Sequence, residues 1–130
     1  MDPVIPFPHR QYAHCESGVV AALLTHYGLA ISEPLVFGIS GGLTFAYIPF
    51  IKITNLPIIS YRMFPHANIN AIQKRLGIRF RTRTYRNPDK AHRELVELLS
   101  RGRVVGLQTS VYWLPYFPDK MRFQFNAHNL

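Results

Sequence analysis

The sequence predicts an α+β fold over residues 1–130, with a buried helix near the N-terminus packed on an antiparallel sheet. The chain is 48% hydrophobic and 17% charged, which supplies enough apolar material for one core and excludes a disordered composition. Residues Cys15 to Tyr27 are apolar on every side and end at Gly28, which indicates a buried helix. Later segments rich in β-branched and aromatic residues are typical of strands.

The N-terminal half supports this class element by element. Prolines up to Gln11 predict an extended strap that lies across the domain. Ser32 can cap a short helix that ends near Gly38. Strands are then expected at Leu43–Tyr47 and at Pro57–Arg62, because both are bounded by residues that favour turns.

The middle of the chain combines an amphipathic helix with a basic strand. Apolar residues at helical spacing predict a helix over Asn68–Leu76. Residues Ile78–Tyr85 alternate apolar or hydroxyl side chains with arginines, which predicts a half-buried strand with a basic outer face. The arginines on that face are Arg79, Arg81 and Arg83.

The last third is expected to contain one more helix and two strands. Capping residues and apolar spacing predict a helix over Pro88–Ser100. A strand is expected at Arg103–Val111, and the proline-rich aromatic segment Trp113–Asp119 predicts a loop. A final strand is expected to begin near Met121. Because the apolar rhythm is still running at Leu130, we expect the domain to be truncated at its C-terminal end.

Several features favour a cytoplasmic protein. No apolar run approaches the ~18 residues of a membrane helix, and Asp2 and early prolines stand where a secretory signal would need basic and then apolar residues. The single cysteine is also consistent with a reducing compartment. No metal or cofactor is expected, because the chain has neither an HExxH spacing nor a phosphate-binding or dinucleotide-binding glycine motif.

The net charge of +8 favours an anionic partner without choosing among nucleic acid, anionic lipid and an acidic protein. The arginine row could hold phosphates, although a solvated polar face is the commoner meaning of such a pattern. Nucleic acid is the less favoured partner, because the exposed aromatic candidates cluster away from the arginines.

The sharpest chemical feature is Cys15, beside His14 at the start of the first helix. The positive end of the helix dipole favours the thiolate, which is the reactive form of cysteine. Backbone N–H groups around Cys15 and Glu16 could hold an oxyanion, and the side chain of Gln11 is the natural candidate to complete that site. The alternative is that Cys15 is a small buried hydrophobic residue.

A cysteine nucleophile needs a base that is distant in sequence but close in space, and His128 is the best candidate. It lies on the expected last strand, which could pack against the helix that carries Cys15. An ordinary strand histidine remains the alternative. The other histidines are less suitable, being adjacent to Cys15, ~16 Å along its helix, in loops or on a solvated helix: His9, His14, His26, His66 and His92.

Five segments together resemble one family, the N-terminal domain of butirosin biosynthesis protein H. They are His14–Gly18, Tyr27–Gly28, Phe37–Phe45, Tyr112–Tyr116 and Ala127–Asn129. The resemblance implies a fold like that of papain-like cysteine proteins and bacteriocin-processing peptidases. It implies transfer of an acyl or aminoacyl group from a carrier-protein thioester to an amine, with Cys15 as nucleophile and His128 as base. A papain-like peptidase and a non-catalytic basic binding module are the alternatives.

The resemblance also suggests binding roles for several residues. Arg79, Arg81 and Arg83 could dock an acyl carrier protein or its phosphopantetheine, and His14 and Glu16 flank the nucleophile. Apart from the resemblance, the aromatic loop Trp113–Phe117 could form a wall of a substrate cleft near His128, with Tyr112 and Trp113 as candidate binding residues, although core packing explains these aromatic side chains equally well. The residue that orients the histidine would lie beyond Leu130, unless Asn126 or Asn129 replaces it.

Overall fold

The computed structural model describes residues 4–7, 9–41, 45–53, 55–60, 66–122 and 127–130, without the side chains of 53, 60, 121, 122 and 127–129. Contacts divide the chain into two compact units, the first Met1–Glu33 with Arg83–Leu130 and the second Pro34–Thr82. Each unit combines helices with a two-stranded antiparallel ribbon, so the α+β class is confirmed. Whether residues 1–130 form a single domain stays a prediction.

Nine helices and strands follow one another in the described part of the chain. They are α1 (Cys15–His26), α2 (Glu33–Ser40), β1 (Ala46–Ile53), β2 (Leu56–Ser60), α3 (Ala67–Leu76), α4 (Pro88–Ser100), β3 (Gln108–Ser110), α5 (Asp119–Arg122) and β4 (Ala127–Asn129). A 3-10 turn at Val111–Trp113 follows β3 directly.

Helix α1 belongs to the first unit, and it is buried less completely than its sequence predicts. It ends where Gly28 adopts a positive φ of 95°, a conformation that glycine accepts without steric cost. One face of the helix is buried, and its members are Ser17, Gly18, Val20, Ala21 and Leu24. The N-terminal strap runs antiparallel along α1, because Phe7 contacts the ring of His26 (centroids 5.4 Å apart) while Tyr12 lies against Gly18.

The ribbon of β3 and β4 is held alongside α1. His128 on β4 pairs with Thr109 on β3, and Leu107 and Leu130 extend the ladder with two mutual backbone hydrogen bonds of 2.7 and 2.8 Å. Strand β4 lies against α1. The expected packing of the first helix on an antiparallel sheet is therefore present, with a sheet of two strands.

Tyr27, at the C-terminal end of α1, ties the segment before β3 to the helix. Its hydroxyl donates to the Val104 carbonyl (3.3 Å) and accepts from the Val104 N–H (3.2 Å). Two residues later, Gly106 packs closely on α1, since a methyl group there would lie 3.0 Å from both Val19 Cγ1 and Leu23 Cδ1. A side chain at position 106 would require the side chains of Val19 and Leu23 to shift.

The strand expected at Ile78–Tyr85 is wrong, because these residues form no ladder within the described chain. Their backbone groups find partners on α3 instead. The Phe80 N–H donates to Gln73 Oε1 (2.6 Å), and the Ile78 N–H donates to the Gln73 carbonyl (3.2 Å). Gln73 therefore supplies hydrogen bonds that a neighbouring strand would otherwise provide.

Other predicted boundaries also shift. The strand expected over Arg103–Val111 is reduced to β3, and the helix α5 occupies the position of Met121, where a strand was expected to begin. Strand β1 begins at Ala46, later than predicted, while 42–44 lie outside the described residues. Its pairing with β2 shifts register between Ile48 and Lys52, a stretch that includes Pro49, which cannot donate to the ladder.

Two helices agree with their predicted ends. Helix α4 covers the predicted Pro88–Ser100, and the Asn87 side chain caps it by accepting from the Lys90 N–H (3.1 Å). Helix α3 ends at Gly77, which has a left-handed φ of 65°, and buries Ile72. Local capping signals were sufficient at these positions because the partners are three or four residues apart.

Candidate functional site

Cys15 is the first residue of α1 and is half-buried. It lines a cavity of about 890 Å³ whose lining residues all belong to the first unit. Cys15 therefore borders a space large enough for a small-molecule group and is not fully buried. The alternative of a fully buried structural cysteine does not fit this exposure.

His14 caps the helix that Cys15 begins. Its Nδ1 accepts the Ser17 N–H (3.3 Å) and lies 2.8 Å from Ser17 Oγ. Because an accepting nitrogen carries no proton, the neutral ring has its proton on Nε2. His14 is not among the residues that line the cavity, so its ring acts on the helix terminus, and a direct role in binding substrate stays a prediction.

A carboxylate holds the backbone that leads into Cys15. Glu33 Oε1 accepts the His14 N–H at 2.6 Å, and Glu33 Oε2 accepts the Ala13 N–H at 3.2 Å. Both bonds fix the turn immediately before Cys15. Sequence reasoning missed Glu33 because it lies 19 and 20 residues from its partners, and no local pattern connects the two segments.

Tyr12 fixes the strap against the first turns of α1. A methyl group at position 18 would lie 2.5 Å from Tyr12 Cγ and 2.8 Å from Cδ2, so only glycine allows this approach. The next residue back, Gln11, is exposed and lines the cavity together with Cys15. The structure brings Gln11 and Cys15 to one cavity, while Glu16 is half-buried in the first turn and is absent from the lining. The role of Gln11 at an oxyanion stays a prediction.

The strand that carries His128 lies against α1, but the His128 side chain is outside the described residues. Its pairing with Cys15 therefore stays a prediction. A second histidine, His9, lines the cavity from the strap. From the sequence, His9 was not favoured as a base because it stands in a proline-flanked segment. The course of the strap along α1 is the signal that could have identified it as a candidate.

The remaining predicted binding residues do not line this cavity. Tyr112 and Trp113 are exposed and absent from the lining, whereas Tyr116 from the same aromatic segment is present. Arg79 and Arg81 are exposed residues of the second unit. Arg83 belongs to the first unit and forms an ion pair with Glu94 on α4. The three arginines therefore do not form the strand row that the sequence suggested.

Metal-binding clusters and membrane-spanning helices are both missing from the part of the chain that the structure describes. Within the described ranges, no group of three or more His, Cys, Asp or Glu residues is arranged to hold a metal ion. Among the same residues, no helix has the length and apolar character needed to cross a membrane.

The chain was compared with protein families, with curated proteins and with solved structures. Comparison with curated proteins and with solved structures found no match. Residues 14–130 match the family model described as butirosin biosynthesis protein H, N-terminal. The match begins at the helix cap beside Cys15 and extends through β4 to the end of the sequence. The chain therefore belongs to the butirosin biosynthesis protein H N-terminal family, as its sequence motifs indicated.

Proposed function

We propose that this protein transfers an acyl or aminoacyl group from a carrier-protein thioester to an amine, through a covalent intermediate on Cys15. The observation that carries the proposal is the position of Cys15, at the start of a helix and on the wall of a cavity that Gln11 also lines. A helix N-terminus favours the thiolate, and a neighbouring amide donor suits the oxyanion that forms when a thiolate attacks a carbonyl.

His128 is the proposed base, in an arrangement like that of papain-like proteins. Support comes from its strand, which lies against the helix that begins at Cys15. Leu130, two residues further along the chain, lines the cavity with Cys15. His9 is the alternative base, since it also lines the cavity.

The first half of the reaction forms the acyl-enzyme. The Cys15 thiolate attacks the thioester carbonyl, and a new carbon–sulfur bond forms while Gln11 and backbone N–H groups at the start of α1 stabilise the oxyanion. The bond to the carrier sulfur then breaks. The departing thiolate takes the proton from the His128 imidazolium, so the carrier leaves as a thiol and the imidazole becomes neutral.

The second half releases the product. The acceptor amine attacks the acyl-enzyme carbonyl and gives a proton to His128. An amide bond forms, the bond to Cys15 breaks, and the thiolate and imidazolium of the resting state are restored. No oxidant, reductant or further co-reactant is needed in either half.

A carrier-bound donor is favoured by the charges near the cavity. Among the described lining residues, the side chains that can carry a positive charge are His9 and Arg10 on the strap. Both can donate hydrogen bonds to a phosphate such as that of phosphopantetheine. Arg79 and Arg81, exposed on the second unit, are proposed to contact the acidic surface of the carrier protein.

The test is formation of an acyl-enzyme. Incubation with an acyl-carrier thioester should add the mass of one acyl group to the wild-type chain, and adding an amine should remove it. Cys15→Ala should show no adduct, whereas Ser110→Ala, a change at an exposed hydroxyl, should behave as wild type. Cleavage of peptides without any thioester-derived adduct would contradict transfer and support a peptidase. Absence of both reactions would support a non-catalytic module.

A further inference from the structure

One face of α1 is apolar but only half-buried. Val19, Ala22 and Leu23 follow Cys15 at intervals of four, seven and eight residues, which is the spacing of a single helical stripe. All of them line the cavity with Cys15, while the opposite stripe of the helix is buried. The nucleophile therefore stands at one end of an apolar stripe that is open to the cavity.

Two further segments complete an apolar channel along this stripe. The strap contributes Ile5 and Phe7, and the segment that Tyr27 ties to the helix contributes Val104 and Val105. We call the channel the acyl trough, and its members are Ile5, Phe7, Val19, Ala22, Leu23, Val104 and Val105. All are half-buried, so each loses further contact with water when a ligand occupies the trough.

The residues that line the cavity disfavour positively charged and polar acyl groups. No aspartate or glutamate is among the described lining residues. A positively charged acyl group would therefore find no carboxylate side chain there, and a polar one would lose its hydrogen bonds to water without replacement along the trough. An apolar group is the chemistry that these walls accept at no such cost.

The length of the apolar stripe on α1 limits the length of the acyl chain that can lie along it. Eight residues separate Cys15 from Leu23, which corresponds to about 12 Å along a helix. An extended chain advances about 3.5 Å for every three bonds, so this distance accommodates roughly ten bonds. Gly106 lies against Val19 and Leu23 and lines the same cavity beside the stripe.

We infer that the acyl group carried by Cys15 is apolar and extended, with about eight to ten carbons, and that it lies in the acyl trough. This inference rests on the proposed acyl transfer and adds the class of donor that the site selects. The acyl chain is attached to Cys15 through its carbonyl carbon, so it begins at the end of the stripe where Cys15 lies.

A series of thioesters tests the inference. N-acetylcysteamine thioesters of acetyl, hexanoyl, octanoyl and decanoyl groups would be compared by the initial rate of Cys15 acylation, followed by intact-mass spectrometry. The rate should rise about two- to fourfold per added methylene up to about eight carbons, as expected from burial of each methylene. The 8-aminooctanoyl thioester, which has the same length but ends in an ammonium group, should react more slowly than octanoyl, because no carboxylate side chain is among the described lining residues. A rate independent of chain length, or 8-aminooctanoyl as fast as octanoyl, would overturn the inference.

A variant that fills the trough gives a second test. Ala22→Trp should lower the ratio of the octanoyl to the acetyl rate at least tenfold, because the indole occupies the space of the chain. The matched control is Ala30→Trp, at an exposed position outside the cavity, which should keep the wild-type ratio. Should Ala22→Trp fail to fold, as judged by circular dichroism, the smaller change Ala22→Met should lower the same ratio by a smaller factor.

Separate experiments distinguish failure of the acyl-trough inference from failure of the proposed acyl transfer. If no thioester acylates Cys15, the proposed function fails, and the trough is then tested with Cys15→Ala protein and unreactive thioethers. The octyl thioether of N-acetylcysteamine should bind at least tenfold more tightly than the methyl thioether by calorimetry, and equal binding would overturn the inference. A concentration-dependent dimer that Ala22→Trp dissociates would assign the trough to a second copy of the chain and overturn it as well.

Discussion

At position 18 the packing has room for a hydrogen atom and nothing larger. Tyr12 lies on the backbone of α1 at this point, so the strap and the helix are in direct contact three residues from Cys15. Gln11 precedes Tyr12, and its place at the cavity therefore depends on this contact. A glycine in the first turns of a helix is otherwise unfavourable, which makes the close approach the physical reason for its presence here.

Gly18→Ala should lower the free energy of unfolding by about 1–3 kcal/mol, because the methyl group collides with the Tyr12 side chain near its rigid base. Gly38→Ala is the matched control, since it also lies in a helix but has nothing within 4 Å of the place that a methyl group would take. It should be neutral or stabilising by up to about 1 kcal/mol. Urea unfolding measures both. Equal effects at the two positions would contradict the close contact.

At the residue scale, the sequence predicted those features that depend only on neighbouring residues. The place of Cys15 at a helix start followed from the apolar run after it and from Gly28. The role of His14 as the cap was not foreseen, because histidine is not among the usual capping residues. Glu33 could not be found from the sequence at all, since its two acceptor bonds join segments that only the fold brings together.

At the scale of elements, the turn before α1 is fixed by hydrogen bonds to a side chain of the next helix. Glu33, the first residue of α2, accepts two backbone N–H groups of this turn. Replacing Glu33 by alanine should cost about 1–2 kcal/mol of unfolding free energy, because two donors lose a charged acceptor and are partly rehydrated by water. It should also slow acylation of Cys15 by loosening the turn that positions it.

The control for this change is Glu97→Ala on α4, whose carboxylate forms an exposed ion pair with Arg101. Such a surface pair contributes at most about 1 kcal/mol and is far from Cys15 in sequence, so stability should change little and acylation should be unaffected. Thermal unfolding and the acylation rate would be measured for both variants. Similar behaviour of the two would contradict a specific role for Glu33.

Strands were predicted less well than helices, and the reason is physical. Helices α3 and α4 carry their own hydrogen bonds and caps, so their ends can be found from neighbouring residues. A strand exists only with a partner. Apolar and basic residues alternate over Ile78–Tyr85 in the sequence. The N–H groups of Ile78 and Phe80 nevertheless donate hydrogen bonds to Gln73, and no ladder forms there within the described chain.

At the scale of the whole molecule, the α+β class and the family could both be predicted from the sequence. The division into two compact units could not, because no linker or change in composition marks it. The cavity was also beyond sequence reasoning in its details, since its walls come from the strap, α1 and the segment before β3. Of its described members, Cys15, Gln11 and the aromatic loop that contains Tyr116 were singled out from the sequence.

The net charge of +8 gives a prediction about the carrier protein. The double change Arg79→Ala and Arg81→Ala should raise the KM for a carrier-bound thioester, and more so at low salt, because exposed charges act mainly on association. It should leave the KM for the small N-acetylcysteamine thioester unchanged. Arg83 is left in place because Glu94 already neutralises it.

The control for the arginine pair is the double change Arg86→Ala and Arg93→Ala, at exposed positions of the first unit. It removes the same number of positive charges and should have a smaller effect on the carrier-bound donor. Steady-state kinetics at two salt concentrations would measure both variants. An equal rise in KM for both variants would show that overall charge, and not Arg79 and Arg81, attracts the carrier.

The central claim is that Cys15 is activated as a nucleophile by His128, and its alkylation rate at pH 6 tests it most directly. An ordinary cysteine thiol is almost wholly protonated at this pH and reacts slowly with iodoacetamide. Wild-type Cys15 should react at least tenfold faster than a small free thiol, His128→Ala should lose that advantage, and His92→Ala, at an exposed position on α4, should retain it. A rate in the wild type no higher than that of a small thiol, or one unchanged by His128→Ala, would contradict the account.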